Sequence, residues 1–310
     1  MMKKLNTLKY LKYPALFALA FTTLTSCEDV INLDTANGPS QLEVYGWLTN
    51  QPGEQAIKLS WSQAYFDNNT PKPVLGAEVT VTDDKGKVYK FEDADADGKY
   101  TWGKTTADTL GHVGRTYSLK VVNGTDTFTS KSELKRVPTV DSVVYRHEKW
   151  PFEPDKGPRE GFVASFYSRD LEGEGDTYWI KPVIRGKAVV DKAVNISIAY
   201  DAAFGAGAPS DGLIFILPLR ESITTDSLYS AGAEVGVELH SITYEAFEFL
   251  KQVSEQAANG GLFATPIANV RSNIINADPK GPKALGFFST SAVSRKETVI
   301  DPEKARPDND

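Results

Sequence analysis

One cysteine in this chain of 310 residues is placed for a covalent modification. Leu24-Thr25-Ser26-Cys27 follows a lysine-containing start and an apolar run from Tyr13 to Leu24. The run is shorter than the roughly 20 residues that span a bilayer, and it has the length of a signal-peptide core. Small residues before a cysteine admit a signal peptidase, and the thiol then forms a thioether to diacylglycerol. The sequence therefore predicts a signal peptide over residues 1–26 and a lipid on Cys27.

Two acidic residues, Glu28 and Asp29, follow this cysteine directly. The pattern resembles the signal that sends Bacteroidota lipoproteins to the outer face of the outer membrane. We therefore expect a lipid-anchored position in the outer membrane, facing the cell exterior. The alternative is an ordinary polar tether that faces the periplasm. Residues 27–40 lack sustained periodicity and end in turn-forming residues, which predicts a lipidated tether.

A second pattern with chemical meaning is the aspartate-rich segment Asp93-Ala94-Asp95-Ala96-Asp97-Gly98. Alternating carboxylates before a glycine form the first half of an EF-hand loop, which binds Ca²⁺. The twelfth position of that loop requires glutamate and is Lys104 here. Aspartate and glycine are also typical of a turn, which would join strands near Phe91 and Tyr100. We therefore expect no cofactor, with calcium at Asp93, Asp95 and Asp97 as the open alternative.

The remaining reactive residue types do not form a catalytic pattern. His112, His147 and His240 are scattered, and no further cysteine is available for a zinc site. Neither a nucleophile elbow nor a phosphate-binding glycine loop occurs. Glu172 and Glu174 lie in a segment that is typical of a solvated loop. We therefore predict a non-enzymatic protein, while a hydrolase with dispersed carboxylates stays the alternative.

Aromatic residues and short acceptor motifs give two further predictions. Trp150 follows a predicted strand into a proline-marked loop, so it is the best candidate for an exposed ring that contacts a ligand. Trp47, Trp61 and Trp179 lie in alternating strands and are expected in the core. Asp-Thr and Asp-Ser pairs followed by an apolar or small residue resemble an O-glycosylation acceptor of Bacteroidota. Its predicted exposed sites are Thr35, Thr109, Ser142 and Ser227.

The charge of the chain argues against two kinds of partner. Removing residues 1–26 takes away four lysines and no acidic residue, which moves the formal net charge from −7 to −11. An acidic surface repels nucleic acid and anionic membrane, so we expect neither as a ligand. The apolar share of 41% is enough for packed cores.

The elements that must position these residues are mainly strands. Seven short segments of alternating polarity between Leu42 and Thr129 are separated by turn formers. They predict an immunoglobulin-like β-sandwich over residues 41–137. Residues 138–293 predict a second β-rich domain. Its strands are expected near 143–145, 162–167, 178–183, 196–200, 214–217 and 235–240.

One helix is predicted within the second domain, near residues 242–257. Tyr244, Phe247, Leu250 and Val253 recur on one face, and Thr243 or Ser241 is suited to cap the N-terminus. Residues 294–310 are charged, and we expect a flexible tail there.

The order of several motifs resembles the domain-of-unknown-function family 4249, a group of Bacteroidota outer-membrane lipoproteins. The resemblance covers nearly the whole mature chain, and its motifs stand at 27–34, 42–50, 73–79, 98–100, 244–256, 269–274 and 285–288. It implies an N-terminal sandwich, a second β-rich domain and a position at the cell surface. The family defines no catalytic or ligand residues.

The resemblance also implies a gene commonly placed beside those of TonB-dependent outer-membrane transporters, and hence an accessory role in nutrient uptake. We therefore expect the partners to be the outer membrane, through the lipid, a TonB-dependent transporter, and a glycan or peptide ligand. The alternative is an adhesin or envelope-structural lipoprotein. Because domain interfaces favour clefts, residues 137–158 are where we expect one.

Overall fold

The computed structural model describes residues 38–64, 67–103, 108–154, 156–190, 192–259 and 270–307. The described residues from Pro39 onwards group into one compact unit. Its elements are mainly β-strands, which confirms the predicted fold class. The predicted signal peptide, Cys27, Glu28, Asp29 and Thr35 lie outside the described residues.

The strands of the N-terminal part lie where alternating polarity predicts them. Apolar side chains such as Val81 and Leu119 are buried, while their sequence neighbours face solvent. This period-two pattern follows from the pleat of a strand, which sends successive side chains to opposite faces. The strands are β1 Leu42–Thr49, β2 Gln55–Trp61, β3 Glu78–Asp83, β4 Val88–Phe91, β5 Lys99–Trp102, β6 Thr116–Asn123 and β7 Asp126–Glu133.

The rest of the described chain mixes strands with two α-helices. The strands are β8 Val140–Lys149, β9 Glu160–Ser168, β10 Thr177–Ile184, β11 Lys187–Ala188, β12 Ser197–Tyr200, β13 Glu234–Ile242, β14 Ile275–Asn276, β15 Ala284–Ser291 and β16 Val293–Val299. The helices are α1 Leu217–Glu221 and α2 Tyr244–Ala258.

Two sheets of the N-terminal part form a sandwich-like pair around one core. Sheet 1 has the order β15-β1-β2-β5, and sheet 2 has the order β14-β7-β6-β3-β4. Their shared core contains large buried side chains from both sheets, including Leu59, Tyr89 and Phe288. Strands β14 and β15 come from the predicted second domain, 138–293. The chain therefore returns to its N-terminal sandwich near its C-terminal end.

Strand β15 joins the sandwich in parallel with β1, opposite Leu42 through Thr49. Gly286 pairs with Val44 and has a φ of +92°, a conformation that favours glycine. A Cβ at this position would overlap the backbone carbonyl of Val44. The absence of a side chain therefore allows β15 to lie against β1.

Two further sheets make up the C-terminal half. Sheet 3 has the order β11-β10-β13-β16, with β12 also paired to β10, and sheet 4 consists of β8 and β9. A second core fills the space between them and α1, with Phe166, Tyr178 and Leu219 fully buried.

An aromatic cluster joins the two halves. Trp47 on β1 lies edge-on to Trp179 on β10, with ring centroids 4.9 Å apart, and stacks on Phe287 of β15 at 5.7 Å. Phe249 of α2 contacts Phe287 at 4.5 Å. The expectation that Trp47 and Trp179 lie in the core is confirmed, because both pack in this cluster.

The predicted helix near 242–257 is confirmed as α2. Thr243 is its N-cap, and the hydroxyl oxygen accepts a hydrogen bond from the N–H of Ala246 at 3.3 Å. Phe247 and Leu250 are buried as predicted, but Tyr244 is 52% exposed. Tyr244 lies in the first turn, at the end of the apolar face. Neither described helix is long and apolar enough to cross a membrane.

Two local predictions are wrong. The sequence predicts a strand at 214–217, but Ile214 forms only an isolated bridge with Arg169, and α1 begins at Leu217 with proline next to it. Pro218 in the first turn favours the helix because its fixed φ suits that position. The segment 294–310 is not a flexible tail in its described part: β16 pairs with β13 from Val293 to Val299. Its charged side chains lie on the edge strand of sheet 3.

Candidate functional site

A large cleft lies over the outer face of sheet 2. Its volume is about 980 Å³, within the range of small-ligand sites, whereas a cleft beside Val194 and Phe204 measures about 400 Å³. The floor comes from β3, β6 and β7. The start of α2 and Gly175 contribute to the walls. The cleft therefore lies where the two halves of the chain meet.

Strand register arranges the floor in two cross-strand rows. Lys120 on β6 stands between Thr80 on β3 and Thr129 on β7. Ser118 stands in the same way between Thr82 and Lys131. Because side chains alternate along each strand, all six belong to the face opposite the core.

The floor carries two lysines that lack acidic partners. Lys120 and Lys131 are exposed and occupy diagonal positions on neighbouring strands, where side chains are within reach of each other. Among the ion pairs between described residues, neither lysine takes part. Lys135, at the edge of the cleft, is 3.6 Å from the carboxylate of Glu133. The floor is therefore a local positive surface on an acidic chain.

The opposite wall presents an aromatic ring and one further carboxylate. Tyr244 is half exposed and stacks on Phe247, with ring centroids 6.1 Å apart. Tyr200 packs edge-on against Tyr244 at 6.2 Å. Glu245 lies next to it in the first turn of α2, where a negative charge complements the helix dipole. The ring of Tyr244 is thus held at the edge of the cleft.

The loop that carries Gly175 is held by two charged side chains. Arg136 contacts both carboxylate oxygens of Asp176, at 3.2 and 2.6 Å, and donates to the backbone carbonyl of Glu172 at 2.7 Å. Asp201 accepts from the N–H groups of Gly175 and Asp176, at 2.9 and 3.0 Å. The exposure of Glu172 and Glu174 confirms the predicted solvated loop.

Three carboxylates converge behind this loop. Oxygen atoms of Asp170, Asp201 and Asp211 all lie within 4.8 Å of one another. Asp170 also accepts from the hydroxyl of Tyr178 at 2.6 Å, and burial raises the pKa of its carboxyl group. Oxygen ligands of this kind are those that Ca²⁺ prefers. The group is not the aspartate segment that the sequence indicates, and no spacing motif relates its members.

The predicted calcium residues lie in the connection between β4 and β5. The carboxylate of Asp93 accepts backbone N–H groups from Asp97 and Gly98, both at 3.1 Å, and Asp97 accepts from the N–H of Lys99 at 2.8 Å. These bonds are those of an aspartate-rich turn. Asp95 is exposed in the same turn, and Lys104 lies outside the described residues. Calcium at Asp93, Asp95 and Asp97 stays a prediction.

The other predicted site residues are dispersed. Trp150 is half buried at the end of β8, and its backbone carbonyl accepts from Arg159 at 2.8 Å. Thr109 and Ser227 lie in loops and are half buried, whereas Ser142 lies within strand β8. None of these residues lines the large cleft in the part of the chain that is described. The cleft also lies outside 137–158, although Lys135 borders that segment.

A buried charge network lies on the face of sheet 3 that packs towards α2. Glu238 accepts from Arg295 at 2.7 Å and lies 3.0 Å from Nε2 of His240. Burial, together with the nearby Lys181 ammonium, lowers the pKa of His240 to about 4. Burial likewise lowers the pKa of Lys181 to about 8, and its ammonium stands 3.7 Å over the ring of Trp179. His240 is therefore neutral near pH 7.

An exposed apolar loop occupies residues 204–217, between β12 and α1. Its backbone is fixed, because the carbonyls of Leu213 and Ala202 accept from Asp170 and Ile216, at 2.8 and 3.0 Å. Asp211 is the only charged residue within it. The side chains that it exposes by 37–58% are Phe204, Leu213, Ile214, Ile216 and Leu217.

These features define a β-rich protein with a ligand-sized cleft, whose floor carries hydroxyl and lysine side chains, and a separate apolar surface. Residues 28–297 match the family described as Domain of unknown function (DUF4249). The chain belongs to this family, which confirms the resemblance that its sequence motifs indicate. No curated protein matches the chain.

Proposed function

We propose that this chain is a surface-exposed outer-membrane lipoprotein that assists a TonB-dependent transporter without catalysing a reaction. The signal-like segment, Cys27 and the acidic pair Glu28-Asp29 support the location. Family membership supports the transport role through the gene neighbourhood that the resemblance implies. The protein captures a nutrient at the cell surface and presents it to the transporter.

The observation that carries the capture role is the cleft on sheet 2. Its volume suits a small ligand, and its floor offers hydroxyl and ammonium groups that reach solvent. Among the described residues of its lining, the carboxylates are Glu133 and Glu245, and Glu133 forms an ion pair with Lys135. A glycosidase needs two carboxylates that flank the scissile bond. The lining thus favours binding over hydrolysis.

The apolar loop supplies the contact with the transporter. Exposed apolar clusters on soluble domains are typical of protein interfaces. The loop itself contains no lysine or arginine, and the neighbouring Arg169 donates to its Gly212 carbonyl at 3.0 Å, so the loop lacks the basic cluster that marks a surface for anionic lipid. A protein surface is therefore the partner that fits it.

The test is purification of the tagged, lipidated protein from its own outer membrane in mild detergent, followed by mass spectrometry. We expect a TonB-dependent barrel in stoichiometric amount. The double variant Leu213→Asp/Leu217→Asp should lose the barrel, because two carboxylates would be buried against it. Val88→Asp, at an exposed apolar position on β4, is the matched control and should retain it.

A protein purified without a barrel would contradict the transport role and favour the adhesin or envelope-structural alternative. A barrel that stays with the double variant would keep the transport role and refute the apolar loop as its contact.

A further inference from the structure

We infer that the cleft on sheet 2 binds an acidic oligosaccharide, a sugar chain that carries carboxylate groups. The inference deepens the proposed function, on which its biological role rests, by naming the ligand class. It is drawn from three properties of the cleft: unpaired ammonium groups, flanking hydroxyls and one exposed aromatic ring.

The ammonium groups set the charge of the ligand. Lys120 and Lys131 are diagonal neighbours on β6 and β7, and no acidic residue stands directly opposite either one. Two like charges at this spacing repel each other unless an anion lies between or over them. The formal net charge of the whole chain is −7, so this positive surface directs an anion to the cleft.

Three carboxylates lie near these lysines, and among the described residues none forms an ion pair with them: Glu78, a diagonal neighbour of Lys120 on β3, Glu133 and Glu245. Glu133 is two residues from Lys131 on β7, but its carboxylate lies 3.6 Å from Lys135. Glu245 stands on the opposite wall, in the first turn of α2. The two lysines of the floor therefore remain available for carboxylates of a ligand.

The hydroxyl groups beside the two lysines determine which uncharged groups of a ligand the floor can bind. Thr80 and Thr129 flank Lys120, and Thr82 and Ser118 continue the next row towards Lys131. A hydroxyl both donates and accepts, so a row of them matches the hydroxyl groups of a sugar. A simple inorganic anion would use the ammonium groups and leave these hydroxyls to water, apart from Thr129, whose hydroxyl donates to the carbonyl of Ile275 at 3.5 Å.

The aromatic ring marks one edge of the cleft. Tyr244 is 52% exposed, and the contacts with Tyr200 and Phe247 fix its plane. Sugar rings present apolar C–H faces that stack on such a ring, because aromatic side chains combine a large apolar surface with a polar tip. An acidic oligosaccharide would lie along the floor with one residue against Tyr244.

The test is calorimetric titration of the full chain in mild detergent with tetragalacturonate. The neutral probe is galactotetraose, and the peptide probe is tetraglutamate. We expect tetragalacturonate to bind, with affinity that falls as salt rises. Each of the two other probes should bind at least about tenfold more weakly, since one lacks the charge and the other lacks the hydroxyls.

Variants assign the binding to the cleft. Lys120→Gln and Lys131→Gln should each weaken tetragalacturonate binding by about tenfold, the usual size of one charge-assisted hydrogen bond. Tyr244→Ala should weaken it, and Tyr244→Phe should restore it. Lys58→Gln, an exposed strand lysine on sheet 1, is the matched control and should bind like the parent chain.

Three results would overturn the inference: no binding of tetragalacturonate, unchanged binding by the two lysine variants, or equal binding of tetraglutamate. The last result would assign the cleft to acidic peptides. None of these results bears on co-purification of a barrel. The ligand class and the transport role are therefore tested by separate experiments, and either can be refuted without the other.

Discussion

The outer face of sheet 2 and the apolar loop at 204–217 are both open to solvent, but their chemistry is opposite. The sheet face presents hydroxyls and lysines on three paired strands. The loop presents five large apolar side chains around one aspartate. A polar face suits a hydrated ligand, whereas an apolar one suits a dry protein contact. This contrast supports our proposal that capture and docking use different surfaces of this chain.

The largest expected effect is a loss of stability at the position where β15 packs against β1. Gly286→Ala should reduce the free energy of unfolding by about 4 kcal/mol, from left-handed backbone strain and overlap with Val44 together. Urea denaturation measures the change. Gly205→Ala is the control, because a Cβ there meets nothing within 4 Å. Equal stability of the two variants would contradict the role of Gly286 in seating β15.

The next effect concerns the aromatic cluster between the halves. Trp47→Ala should reduce the free energy of unfolding by about 3 kcal/mol, because it removes contacts with Trp179 and Phe287 together. Thermal denaturation is the measurement. Phe152→Ala, at a ring that is 67% exposed, should change the stability little. A loss no greater than that of Phe152→Ala would show that the cluster does not join the halves.

The third prediction concerns the pH dependence of stability that the charge network in the C-terminal half produces. The folded chain holds the pKa of His240 near 4, whereas an unfolded histidine titrates near its ordinary value of 6.5. The unfolded state therefore binds more protons in this interval, and stability should fall as the pH falls from about 6.5 to about 4. The lowered pKa of Glu238 acts in the same direction.

Chemical denaturation between pH 4 and pH 8 should show a loss on the order of 3 kcal/mol from this residue. In His240→Gln the slope over this interval should be shallower. An identical slope in the variant would mean that other groups control the acid sensitivity.

The smallest effect concerns the helix start beside the cleft. Thr243→Ala removes the hydroxyl that caps Ala246 and should reduce the free energy of unfolding by about 1 kcal/mol. Thr243→Ser keeps a capping oxygen and should recover most of the stability. If both variants melt alike, the cap does not stabilise α2 measurably.

The two surfaces also differ in how far the sequence predicts them. Alternation places Thr80, Ser118, Lys120 and Lys131 on the polar sides of their strands, so their exposure could be predicted. Their assembly into rows depends on register, which one sequence does not specify between distant strands. The wall formed by Gly175 and Tyr244 arises from tertiary packing, and no local sequence pattern indicates it.

The apolar loop and the three converging carboxylates could not be predicted from the sequence for a different reason. The apolar run at 213–217 is typical of a buried strand, and only its tertiary position leaves Leu213 and Leu217 exposed. Asp170, Asp201 and Asp211 converge through loops that no spacing rule covers. The insertion of β15 beside β1 is likewise a pairing across almost the whole chain.

The most direct test of separate capture and docking surfaces is site-specific photo-crosslinking in intact cells. A photoreactive residue is placed at Leu217 in one strain and at Ser118 in another, and crosslinked products are identified by mass spectrometry. The account predicts a TonB-dependent barrel crosslinked from Leu217 and none from Ser118. A barrel captured from Ser118, or no barrel from Leu217, would contradict it.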